Sequence, residues 1–142
     1  MKSRMTVVGT VLTYAVAAVL LLDGLAQFAP PPQLVEAMTE TGFDPSIGPR
    51  LAVVTLLCAI TLAIPATSVL GAILTTAFLG GAIAVHVRIG DYGGSQVFCV
   101  LLGVAAWAGV YLRNEVLRNV LPFRRKTTRD LRPGQVSQGA VT

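Results

Sequence analysis

The residues able to do chemistry in this chain are few: Asp23, Gln27, His86 and Arg88, with Arg50, Asp91 and Gln96 as a second group. A carboxylate and an imidazole can accept or relay a proton, and an amide and a guanidinium can orient a polar ligand. All sit in or beside strongly apolar segments. A charge there costs several kcal/mol unless it is neutralised or paired, so Asp23 and His86 are read either as contacts for a ligand or a proton or as a tie between spans one and three. For Arg50 and Arg88, at segment ends, snorkelling to headgroups is the simpler reading. Histidine occurs once, and the cysteines form no CxxC or metal-ligand spacing, which excludes a multi-histidine metal or haem site within the subunit and makes a Ser–His–Asp triad improbable. No P-loop, dinucleotide fingerprint, HExxH or nucleophile elbow occurs. No metal and no catalysis by this chain alone are expected.

The elements that must hold these residues follow from hydropathy. The chain is 54% hydrophobic and 13% charged, outside the balance of a water-soluble domain. Apolar stretches run from Met5 to Ala29, from Leu51 to Val87 and from Gln96 to Leu112. A helix crosses hydrocarbon in about 20 residues, so the middle stretch is too long for one crossing. It breaks at Ile64-Pro65-Ala66-Thr67-Ser68, because proline lacks the amide and disfavours helix before it. The expected fold is all-α, a four-helix transmembrane bundle with spans at about 5–28, 49–64, 67–89 and 95–113. Residues 1–122 form the membrane domain and 123–142 a basic, mobile tail. Met1 to Leu22 could pass for a signal peptide, but its apolar core is long and the first span is expected to be retained.

Charge placement orients the bundle. Lys2 and Arg4 precede span one, and Arg113, Arg118, Arg124, Arg125, Lys126, Arg129 and Arg132 follow span four, whereas Glu36, Glu40 and Asp44 occupy the first loop. Basic residues concentrate in short cytoplasmic segments, so the chain is expected in a bacterial cytoplasmic membrane with both termini on the cytoplasmic side. The net charge of +4 then reads as a tail attracted to anionic headgroups, not as a nucleic-acid surface. After Pro30-Pro31-Pro32, "QLVEAMTETG" places Leu34, Val35 and Met38 on one face and Glu36 and Glu40 on another, with Gly42 as a cap. This predicts a short amphipathic helix over the outer mouth of the bundle.

With that topology the polar candidates gather in the outer third. Asp23 and Gln27, four apart, share a helical face, while His86 and Arg88 are separated by ~200° and cannot both point at Asp23. The sequence leaves open which does; we expect His86 to face the bundle and Arg88 to reach the loops or a lipid phosphate. Small residues four apart (Ala77 with Gly81, Gly80 with Ala84, Cys99 with Gly103, Ala105 with Gly109) are expected to pack helices. Cys58 and Cys99 are read as small apolar packing residues. Trp107 and Tyr111 fit an inner aromatic belt, Phe28 and Tyr92 an outer one.

The motifs "LLDGLAQF", "VEAMTETGFDPSIGP", "AIPATSVLGAILTTAFLGGAIAVHVRIGD" and "WAGVYLRNEVLRNVLP" resemble the DoxX-like family of small four-helix bacterial membrane proteins, from about Tyr14 to Pro122. The Gly-Gly-Ala then His-x-Arg of span three and the Tyr-Leu-Arg exit from span four carry most of the likeness. The resemblance implies membership of membrane assemblies, some linked to quinone-reducing thiosulfate oxidation or to thiol and oxidative-stress complexes, and supplies no catalytic residue set. The expected function is a subunit or partner of a larger assembly, with an outer polar pocket for a quinone, lipid headgroup or other amphiphile. Its partners would be membrane lipids and other membrane subunits or further copies of itself. The alternatives are the anchor and quinone-site subunit of an oxidoreductase, and a purely structural assembly subunit. A small-solute transporter is disfavoured, because nothing polar lines the inner half.

Overall fold

The computed structural model describes residues 2–90 and 92–120. The expected all-α architecture is found: α1 (Lys2–Ala26), α2 (Pro32–Glu40), a 3-10 turn at Pro45–Ile47, α3 (Gly48–Ala63), α4 (Ser68–Arg88), α5 (Gly94–Arg113) and α6 (Glu115–Val120). The helices α1, α3, α4 and α5 are each long and apolar enough to cross a membrane. They form a ring in which α1 packs on α3 and α5, and α4 packs on the same two. Neighbours run antiparallel, so Gly9 near the start of α1 meets Gly109 and Arg113 near the end of α5. The bundle therefore has a terminal end, where α1 begins and α5 finishes, and a loop end, where α2 lies.

The breaks fall where local chemistry puts them. After α3, Ile64 is extended ahead of Pro65, and the Thr67 hydroxyl donates to the Thr61 carbonyl at 2.9 Å while Ser68 donates to Pro65 at 3.0 Å. The first bond satisfies a carbonyl that the ended helix leaves open, and the second closes the turn into α4. Proline at the first turn of α2 and of α3 removes an N–H that would have had no helical partner. Gly42 ends α2 in the left-handed region, at φ 79°, where Phe43 N–H donates to Met38 O and Gly42 N–H to Thr39 O. That is the Schellman arrangement, and its apolar partners are Met38 and Phe43. One element was not foreseen. After Arg113 the chain turns and starts α6, whose first amides are capped by the Asn114 side chain at 3.0 and 3.2 Å.

The core runs between the helices from the terminal end to mid-bundle, through Val16, Ala17, Leu20, Cys58, Ala59, Leu62, Ala72, Ala106 and Val110. Backbones touch closely there. A methyl group on Gly109 would lie 2.9 Å from the Thr13 nitrogen, one on Gly9 would lie 2.8 Å from the Gly109 oxygen, and one on Gly71 would fall onto the backbone of Thr61 and Leu62. Gly80 and Gly81, by contrast, face open space within this chain, and the packing expected of them is not made inside the monomer.

Candidate functional site

Asp23 lies in the last turn of α1, which finishes at Ala26, two residues short of the expected limit. A carboxylate there meets the negative end of the helix dipole, and no basic residue occupies that turn to offset it. The compensation is local. Gln27, one turn further on, donates from Nε2 to Asp23 Oδ2 at 2.7 Å, and the same nitrogen is 3.5 Å from Thr55 Oγ1 on α3. Thr55 gives its own proton to the Leu51 carbonyl at 2.9 Å, leaving its oxygen to accept. Gln27 is only 6% exposed, so this amide fixes the Asp23 carboxylate from inside the bundle.

The carboxylate faces a cavity of about 900 Å³ at the loop end. Its walls are Asp23 of α1 with Gln27 just beyond that helix, α4 through Ala77, Gly81, Ala82 and His86, and α5 through Ser95, Phe98 and Cys99; Leu34, Ala37 and Met38 of α2, with Thr41 at its C-cap, close it from above. The amphipathic face of α2 is thus a lid lining, with Glu36 and Glu40 exposed on the other side. On α4 small side chains at Ala77, Gly81 and Ala82 leave room in the wall, whereas α5 presents Phe98 and Leu102 beside Ser95 and Cys99. The volume is in the range of sites for small organic ligands, and the lining is mostly apolar with a few converging polar groups, the usual composition of such sites.

The structure brings Asp23, Gln27 and His86 to one cavity, and among the described residues Arg50, Arg88 and Gln96 do not line it. Arg88 lies against the α2 loop: a methyl group on Gly42 would sit 3.5 Å from its Nη2. Arg50 is exposed at the start of α3, and Gln96 is half-buried in the first turn of α5. Asp91 and the tail from 123 onward lie outside the described residues. Of the small residues, Ala77 and Gly81 line the cavity, Gly80 and Gly103 line a second hollow on the outer surface between α4 and α5, Gly109 is a close-contact point, and Ala84 is exposed. Cys58 is a buried core thiol and Cys99 lies between the cavity and the outer hollow; both are free. Among the described residues no cluster of His, Cys, Asp and Glu could hold a metal ion.

Sequence reasoning missed Thr41, Phe43, Ser95, Phe98 and Cys99 as lining residues. The alternation of α2 pointed to Met38, and its continuation to Thr41 follows the same three-to-four spacing. Nothing in the sequence marked the α5 contribution.

Four long apolar helices in a ring, with a short helix over one end, define a small four-span membrane protein. Residues 11–109 match the model of the DoxX-like family, and the chain belongs to that family. No curated protein and no solved structure matches it.

Proposed function

We propose that this protein is a subunit or partner of a larger assembly in the bacterial cytoplasmic membrane, and that its loop-end cavity holds the head of a quinone, lipid or other amphiphile. Both termini face the cytoplasm in this reading. Arg4, Arg113 and Arg118 stand at the terminal end, and Glu36, Glu40 and Asp44 at the loop end, which is the asymmetry expected of cytoplasmic and external sides. The observation that carries the binding role is the 900 Å³ cavity with a carboxylate held in its wall by a buried amide. A membrane-embedded carboxylate is costly, and its maintenance beside an apolar space of this size argues for a ligand that meets it.

The test is gentle solubilisation followed by mass spectrometry of the bound small molecules and the co-purifying proteins. A stoichiometric amphiphile that is lost on filling the cavity supports the reading; the same amphiphile retained at full stoichiometry in that variant rejects it.

A second reading, the assembly subunit, is favoured by the hollow of about 610 Å³ on the α4–α5 surface, floored by Gly80 and Gly103 and bordered by Trp107 and Leu117. Small residues allow a neighbouring helix to approach closely. In that case Gly80→Leu releases co-purifying subunits while Asp23→Asn leaves them bound.

A further inference from the structure

The polar groups around the cavity are out of balance, and the imbalance says which ligand heads suit it. Asp23 accepts one hydrogen bond from a side chain, the 2.7 Å bond from Gln27, and among the described residues no cation stands within ion-pair distance of it. A carboxylate has room for about four. Both amide hydrogens of Gln27 are directed at oxygens, those of Asp23 and Thr55. Its Oε1 is buried and has no hydrogen-bond partner, in a side chain 94% removed from solvent that lines the cavity. While Asp23 carries its charge, turning the amide over would set that oxygen against the carboxylate, so in that state the shortage of donors is not relieved locally. The Thr41 hydroxyl donates back into its own helix, to the carbonyls of Ala37 and Met38. His86 and Ser95 also line the space, but neither donates to the Asp23 carboxylate or to Gln27 Oε1. Arg88, two residues after His86, is turned to the Gly42 loop.

We infer that the cavity selects an amphiphile whose polar end donates a hydrogen bond, a hydroxyl or an ammonium group, over one whose polar end only accepts. The inference rests on the binding role proposed above and narrows it. A head with carbonyl or ether oxygens alone would bring a further acceptor to a wall already short of donors. A hydroxyl or N–H would meet the open side of Asp23 in a charge-assisted bond, the stronger kind. The apolar lining from Phe98, Leu102, Val19 and Phe78 takes the chain behind the head.

Cys99 provides the readout, since it borders the cavity whereas Cys58 is 2% exposed in the core. The full chain in phosphatidylcholine nanodiscs would be treated with methyl methanethiosulfonate, and modification of Cys99 followed by intact mass. The competitors are 4-decylphenol, decylammonium, 4-decylanisole and decyltrimethylammonium: a neutral donor, a charged donor, a neutral acceptor and a charge without an N–H. Protection by the phenol or the primary ammonium at concentrations at least about tenfold below those needed for their methylated counterparts is the expected result. The arm that protects tells a hydroxyl head from an ammonium head. Equal protection by phenol and anisole, with no advantage of decylammonium over the trimethyl compound, overturns the inference while leaving the cavity a binding site. No protection by any of the four overturns the binding role itself.

Two variants separate the cavity from its surroundings. In Asp23→Asn the side-chain amide both donates and accepts, so the preference should shrink to within about twofold; an unchanged preference sinks the proposal. Gly81 faces the cavity and has open space where a side chain would go, so Gly81→Leu fills the site without a backbone clash. It should abolish protection by every probe. Persistent protection would put the probes in the outer α4–α5 hollow, which Cys99 also borders, and would refute the assignment.

Discussion

Two regions of this bundle use the same residue type on opposite principles. Around α1 and in the α3–α4 hairpin, glycines bring backbones together: Gly9 and Gly109 face each other across α1 and α5, Gly48 comes within 2.9 Å of the Gln27 carbonyl at the position a methyl group would take, and Gly71 admits the turn of Thr61 and Leu62. On the flank of α4, Gly80 and Gly81 meet nothing and border two hollows, the loop-end cavity and an outer one that reaches past Trp107 to Leu117. Small side chains permit close approach, but they cause it only where the neighbouring backbone comes in. Where it does not, they make room. The difference lies in what faces the glycine, and it divides the protein into a packed half, the seams around α1 and the α3–α4 hairpin, and an open half, the α4 flank between the two hollows, which can take a guest.

The comparison is broken most forcefully at Gly71. A methyl group there would coincide with main-chain atoms of the hairpin, which have no flexible end to move aside. Gly71→Ala is expected to part α3 from α4 and to cost more than the ~1–3 kcal/mol usual for overpacking. Thermal unfolding of the detergent-solubilised chain, followed by Trp107 fluorescence, should show a collapse of the transition; a wild-type midpoint would mean the two helices are not this close.

Gly109→Ala tests the terminal end with a smaller expected loss. Its new methyl would be 2.6 Å from Thr13 Oγ1 and 2.9 Å from the Thr13 nitrogen. The Thr13 hydroxyl is itself tied to the Gly9 carbonyl at 2.8 Å in a fully buried site, so it cannot swing away freely. A loss of about 1–3 kcal/mol is expected, typical of overpacking. In contrast, Gly80→Ala in the open half should be neutral or stabilise by up to about 1 kcal/mol, because alanine favours helix and nothing obstructs it. If both substitutions change the unfolding midpoint equally and in the same direction, the division into packed and open halves is wrong.

How far the sequence discloses this division depends on the kind of information required. The four spans, the proline break and the lid helix were legible because hydropathy and turn chemistry are local properties. The Asp23–Gln27 pair was legible from i, i+4 spacing, and the structure adds its direction, with Gln27 donating and held by Thr55. The roles of the small residues were not legible. Gly80 and Gly81 are adjacent, hence about 100° apart around α4, and whether either meets a helix depends on how the ring closes. Gly9 and Thr13 have the same four-residue spacing, but nothing local shows that Gly9 makes one of the tightest contacts. Trp107, expected at an aromatic belt, donates to Thr76 Oγ1 of α4 at 2.9 Å, a tie between helices that span-by-span reading cannot supply. The start of α6 is written in Asn114-Glu115, an N-cap followed by an acidic first residue, a capping signal that hydropathy does not register because it lies beyond the last apolar run.

The smallest expected effect lies in the loop that joins the lid to α3. Asp44 caps the 3-10 turn by accepting from the Ser46 N–H at 2.8 Å, and this bond to the backbone amide holds its carboxyl below the usual aspartate range. A carboxyl whose folded value is depressed stabilises the folded turn above its unfolded value, and loses that contribution as pH falls through the folded one. Ser46 amide exchange, corrected for its intrinsic pH dependence, should therefore be slow at neutral pH and quicken in the acid range below the ordinary aspartate value, with Asp44→Ala fast throughout. Because Asp44 is exposed and the packed half makes no use of it, the unfolding midpoint should hardly move. A large drop in that midpoint would show that the open end is coupled to the packed end through this turn, and would erase the contrast drawn between them.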